Sequence, residues 1–180
     1  MKSGIFFLLT MTLGLFSCID NQQEIKLVDA DNFTSSINGK NVNLYTLKSK
    51  NGMTMQVTNY GGHVVSLWVP DKNGHFDDIV LGHNTLKEYI DYEGERFIGC
   101  VVGRYANRIE NAVFSVGGKT YQLEANNGPN HLHGCFSRKL YRVKAFGDTL
   151  LMEAESPDGE DGFPGNLKLA VRYTLTEDNT

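Results

Sequence analysis

The chain has 180 residues, 41% of them apolar and 11% aromatic, enough for one domain with a buried core. Its 17 Lys and Arg stand against 21 Asp and Glu with no basic block, which argues against nucleic acid as a partner, because phosphate binding needs clustered cations. The 19 glycines, with many Asn and Asp, mark a turn-rich chain that favours β structure.

The first element is a leader. Lys2 precedes an apolar run over residues 5–16, interrupted by Thr10, Thr12 and Gly14. That order reads as a secretory signal over residues 1–17, too short to span a bilayer well. The run ends in Leu15-Phe16-Ser17-Cys18, which resembles a bacterial lipobox and implies lipidation of Cys18. The alternative is a signal that merely contains a cysteine. The lipobox reading implies an exported protein, anchored to a membrane through Cys18 on the periplasmic or cell-surface side. Residues 18–40 then read as a polar tether and 41–180 as the domain.

From residue 40 the pattern is strand and turn. Val42 and Leu44, then Met53, Met55 and Val57, alternate with polar residues across Lys50-Asn51-Gly52. A more continuous apolar strand over 64–69 stops at Pro70, and Ile79-Val80-Leu81 reads as a short buried strand. Thr85 and Glu88 have capping-box spacing, and Leu86, Tyr89 and Ile90 share a helical face, so one short helix is predicted. Gly117-Gly118 and Gly147-Asp148 each divide a pair of strand-like runs, giving two hairpins. After a breaker-rich loop over 156–165, Leu167, Leu169, Val171, Tyr173 and Leu175 alternate with Lys168, Ala170, Arg172 and Thr174, a strand with one face buried.

Candidate chemistry gathers in two places. Asn107 and Arg108 offer an amide and a rigid fork of donors, the mixed directional groups that sugar hydroxyls need. Read from the residues alone, Arg108 equally suits a surface pair with Glu110 or Glu95. His133 follows the loop 126–130 and precedes Gly134, a rim position suited to a proton donor that titrates near neutrality. A lone histidine is also an ordinary structural residue. In a regular strand His131 would point the same way as His133, and it reads as a supporting or exposed residue. His63, His75 and His83 lie near turns and need no special role, with His75 exposed. The acids Asp158, Glu160 and Asp161 read as solvated loop residues. An exported location permits a disulfide between Cys100 and Cys135, although the apolar run around Cys100 suits a buried thiol better. No Cys/His spacing resembles a zinc site.

Five ordered motifs carry a resemblance: Asn59-Tyr60-Gly61-Gly62, Val69-Pro70-Asp71, Gly103-Arg104-Tyr105-Ala106-Asn107-Arg108-Ile109, Leu132-His133-Gly134, and the loop 156–165. From about residue 42 to 175 the chain resembles the aldose 1-epimerases (mutarotases), which interconvert the α and β anomers of sugars. The resemblance implies an all-β fold, the amino-terminal part of a large antiparallel β-sandwich with one short helix. It implies that His133 is the general acid that protonates the ring oxygen, that Asn107 and Arg108 contact a glucose- or galactose-type sugar, and that no cofactor or metal is needed. Two departures accompany it. The segment after Gly134 is compressed and lacks the family's Trp. The family's second histidine, its aspartate and its glutamate base belong beyond the strand 167–175, so little or no mutarotase activity is expected of these 180 residues alone. A membrane-anchored carbohydrate-binding protein without turnover is the alternative expectation.

Overall fold

The computed structural model describes residues 25–93 and 97–178. The leader and Cys18 lie outside the described residues. The strands are β1 (Ser35–Ile37), β2 (Lys40–Val42), β3 (Leu44–Lys48), β4 (Thr54–Thr58), β5 (Val64–Pro70) and β6 (Phe76–Asp78). Helix α1 (Leu86–Asp91) follows, then β7 (Arg108–Ile109), β8 (Val113–Val116), β9 (Lys119–Gln122), β10 (His131–Leu132), β11 (Arg142–Phe146), β12 (Thr149–Ser156) and β13 (Leu167–Thr174).

Two antiparallel sheets form the body. One runs β3-β4-β5-β6 and the other β11-β12-β13. Leu47, Met55 and Val57 from the first, with Met53 just before β4, meet Leu150 and Met152 from the second, with Tyr141 just before β11 and Leu175 just after β13, in one apolar core. The expected all-β fold with a short helix is what forms. Thr85 and Glu88 make the predicted capping box on α1, and both Gly117 (φ 59°) and Gly118 (φ 74°) take the left-handed values of a two-residue hairpin turn.

The alternation in β4 misleads about its second face, because Thr54, Gln56 and Thr58 are as buried as the apolar residues between them. The chain before the domain covers that face. The Gln56 side chain accepts from Val28 N at 2.9 Å and donates to Val28 O at 2.8 Å, while Ser66 Oγ donates to its Oε1 at 2.9 Å. Phe33 is fully buried against Val42, Leu44, Tyr60, Val65 and Leu86, and β1 pairs with β2. The packed structure therefore reaches back into the stretch read as a tether.

Ile79-Val80-Leu81 is not a buried strand. Pairing with β5 ends at Asp78, whose carboxylate accepts from the Leu67 and Val80 amides and turns the chain off the sheet. Ile79 is 62% exposed and Leu81 80%. On α1, Leu86 is buried but Ile90 is exposed. On β13, Leu169, Val171 and Tyr173 face the core half-buried, and among the described residues the strand pairs on one edge, with β12.

Candidate active site

Two short strands build the site. β7 pairs with β10, with Leu132 opposite Arg108 and His131 opposite Ile109. Both chains then leave β geometry at the next pair, Asn107 (φ 72°) and His133 (φ 60°). Left-handed backbone is rare outside glycine, and Asn and His are among the side chains that tolerate it best.

At that point the two backbones grip each other. Asn107 N–H donates to His133 Nδ1 at 2.9 Å, His133 N–H donates to Asn107 O at 3.1 Å, and Gly103 N–H donates to His133 O at 2.9 Å. A ring nitrogen that accepts from an amide carries no proton, so neutral His133 holds its proton on Nε2. The ring packs against Phe97 with centroids 4.6 Å apart. Gly134 makes the closeness feasible, since a Cβ there would lie 1.8 Å from Gly103 O.

Arg108 reaches a cleft of about 310 Å³, where Nε donates to Asn127 Oδ1 at 3.0 Å. Among the described residues it makes no ion pair with Glu110; Glu95 lies outside them. Leu132 and Gly134, on either side of His133, line the cleft, whereas Asn107 and His133 stand beside the lining. Glu93 is the carboxylate among the described lining residues. The three expected site residues are thus brought together, with Arg108 on the cleft and the other two at its margin.

Of the two readings of His131, supporting or exposed, exposure is excluded. The residue is fully buried, its Nδ1 lies 2.7 Å from Glu124 O, and its ring meets Phe163 edge-on at 5.3 Å. The left-handed turn at His133 breaks the alternation that would have aimed both rings alike. Of the loop acids, Asp158 is exposed as expected, whereas Glu160 and Asp161 are half-buried. Glu160 pairs with Lys139 at 2.5 Å; burial alone would raise its pKa, but the Lys139 contact and hydrogen bonding from Ser156 hold it below the usual value. Asp158 accepts from Gly165 N within the loop. Cys100 and Cys135 are both free thiols, pushed up by burial to about 11 and about 12.

Two residues escape sequence reading. His63 is 2% exposed on the cleft wall, with Nδ1 3.0 Å from Ile98 O and Nε2 3.2 Å from Ser137 O. Arg104 donates from Nε to Ser156 Oγ (2.9 Å), from Nη1 to Pro164 O (2.9 Å), and from Nη2 to Ser156 O (2.8 Å) and Pro157 O (2.9 Å). Neither carries a local signal, because nearly all their partners are distant backbone carbonyls. His75, by contrast, is exposed as expected.

Comparison with known proteins adds a second line. The aldose 1-epimerase family model matches residues 43–180. The chain is 40% identical over 126 residues to a galactose mutarotase of Sus scrofa, covering 68% of this chain and 36% of that protein. It is 34% identical over 145 residues to an aldose 1-epimerase of Escherichia coli, covering 78% of this chain and 41% of that protein. Among solved structures, an aldose epimerase homologue from C. elegans superposes with a TM-score of 0.70 at 32% identity, covering 76% of this chain and 42% of that one. A galactose 1-epimerase from Lactobacillus acidophilus gives 0.66 at 28% identity, with 79% and 43% covered. The chain thus spans about two fifths of the length of the relatives it matches.

Proposed function

Because the chain belongs to the aldose 1-epimerase family, we propose that it acts on the anomeric centre of a glucose- or galactose-type hexose, with His133 as general acid. The observation that carries this reading is the Asn107 amide on His133 Nδ1, which leaves a proton on Nε2 beside the cleft that Arg108 enters. In the proposed reaction a base removes the proton from the C1 hydroxyl while His133 Nε2–H protonates the ring oxygen. The C1–O5 bond breaks, the aldehyde rotates, and the reverse transfers close the ring on the other face. Arg108 and the side chain of Asn107 hold sugar hydroxyls. Glu93, which lines the cleft, is the candidate for the base, ahead of Asp158, Glu160 and Asp161, which do not. Hexose binding without turnover is the second reading: among the described residues a single carboxylate, Glu93, lines the cleft.

We also propose export and lipid anchoring through Cys18, from the Lys2, apolar-run and cysteine order. The function is tested by polarimetry on fresh α-D-glucose and α-D-galactose, with sugar titration followed by NMR. A protein-dependent rate that falls about 10²- to 10⁴-fold in His133→Ala supports catalysis. Sugar shifts at Arg108 without a rate select the binding reading, and no response to either sugar overturns both.

A further inference from the structure

The loop 103–107 is the backbone that touches His133, and it is held from outside by one side chain. Gly103 and Asn107 supply the amides on His133 O and Nδ1, and Arg104 lies between them in sequence. Its guanidinium makes four hydrogen bonds of 2.8–2.9 Å to Ser156, Pro157 and Pro164, bridging the two ends of the loop 156–165. It also stands 5.8 Å over the Phe163 ring, and Phe163 packs edge-on against His131, two residues before His133. Both chains that meet at the imidazole are therefore braced by the same cation.

From this geometry we infer that Arg104 is a positioning residue for His133: it fixes the loop 103–107 so that the Asn107 amide stays on Nδ1 and the ring proton stays on Nε2. Four donors aimed at three carbonyls and a hydroxyl need a planar fork, which a lysine ammonium lacks. Without the brace, the loop carries its own strain. Asn107 sits at φ 72°, and its relaxation shifts the amide that holds Nδ1. A displaced Asn107 amide frees Nδ1 to take the proton, and Nε2, beside the cleft, is then left without one.

The inference rests on His133 being the acid, yet its test needs no sugar. Two-bond ¹H–¹⁵N spectra of the imidazoles report which nitrogen is protonated. In the wild type, His133 is expected as one neutral tautomer with the proton on Nε2. His131, whose Nδ1 faces Glu124 O, shows the opposite tautomer and serves as an internal check of folding. In Arg104→Met the His133 ratio should move towards Nδ1–H by about fivefold, the effect of one lost hydrogen bond of about 1 kcal/mol. Arg104→Lys should behave like Arg104→Met. Ser156→Ala removes one acceptor of the four and should move the ratio the same way by less, which keeps the inference testable where Arg104 variants fold poorly. A wild-type His133 protonated on Nδ1 overturns it. So do variants, Ser156→Ala included, that keep the His131 signal and leave His133 unchanged. A tautomer shift with no sugar response anywhere upholds the brace and sinks the functional reading instead.

Discussion

Gly134→Ala should be far more damaging than Gly117→Ala, although both glycines have left-handed backbone. At Gly117 (φ 59°) an added Cβ meets nothing within 4 Å, so the substitution costs only the conformational penalty, about 1–2 kcal/mol. At Gly134 (φ 68°) the same penalty applies, and the Cβ falls 1.8 Å from Gly103 O and 2.9 Å from Arg104 N. Restoring an ordinary 3.4 Å contact requires Gly103 O to withdraw by 1.6 Å, the difference of the two. That movement breaks the Gly103 bond to His133 O and disturbs the Asn107 bond to Nδ1, each worth about 1 kcal/mol. The total for Gly134→Ala is therefore about 3–4 kcal/mol. Urea unfolding of the two variants against wild type measures it, with the midpoint interpreted at constant slope. Sugar binding should vanish in Gly134→Ala and persist in Gly117→Ala. Losses equal to within about 0.5 kcal/mol would refute the claim that close approach, rather than backbone conformation, demands glycine at position 134.

Two further outcomes follow from other parts of the molecule. Burial lowers the His63 pKa, against the opposing pull of the Ile98 and Ser137 carbonyls, so the folded protein keeps it neutral while the unfolded chain protonates near 6.5. Unfolding then takes up a proton below pH 6.5, and stability declines as pH falls through that value, by at most about 1.4 kcal/mol per pH unit. His63→Gln should flatten this slope in unfolding curves at pH 7.5, 6.5 and 5.5, while a slope identical to wild type would assign the proton elsewhere. Cys18→Ser should move the protein from the membrane to the soluble fraction in cell fractionation; a wild-type protein that is already soluble and retains Met1 sinks the anchor.

The legible parts of the fold were those with local causes. The alternation from Leu167 to Tyr173, the Gly117-Gly118 pair and the Thr85–Glu88 spacing each announce an element within a few residues. What stayed hidden depends on distant partners. Nothing near Gln56 says that its amide will hold Val28, and nothing near Arg104 points 52 to 60 residues ahead to Ser156 and Pro164. In the site, Asn107, Arg108 and His133 were legible through the family motifs, whereas residue chemistry alone left Arg108 equally suited to a surface ion pair. The left-handed turn at His133 had no signature, so the opposed directions of His131 and His133 emerge only from the backbone.

The Gln56 side chain also has a mechanical consequence. It offers one donor and one acceptor to Val28, as a neighbouring strand would, but only for a single residue. A load applied at residue 25 therefore meets two hydrogen bonds in line, then the Phe33 anchor, before it reaches the sheets. The amino-terminal segment should detach as a separate first event in single-molecule pulling, at low force, and reseat on release because Ser66 keeps the Gln56 amide oriented. Such a segment yields before the domain does, so tension along an anchor would leave the cleft intact.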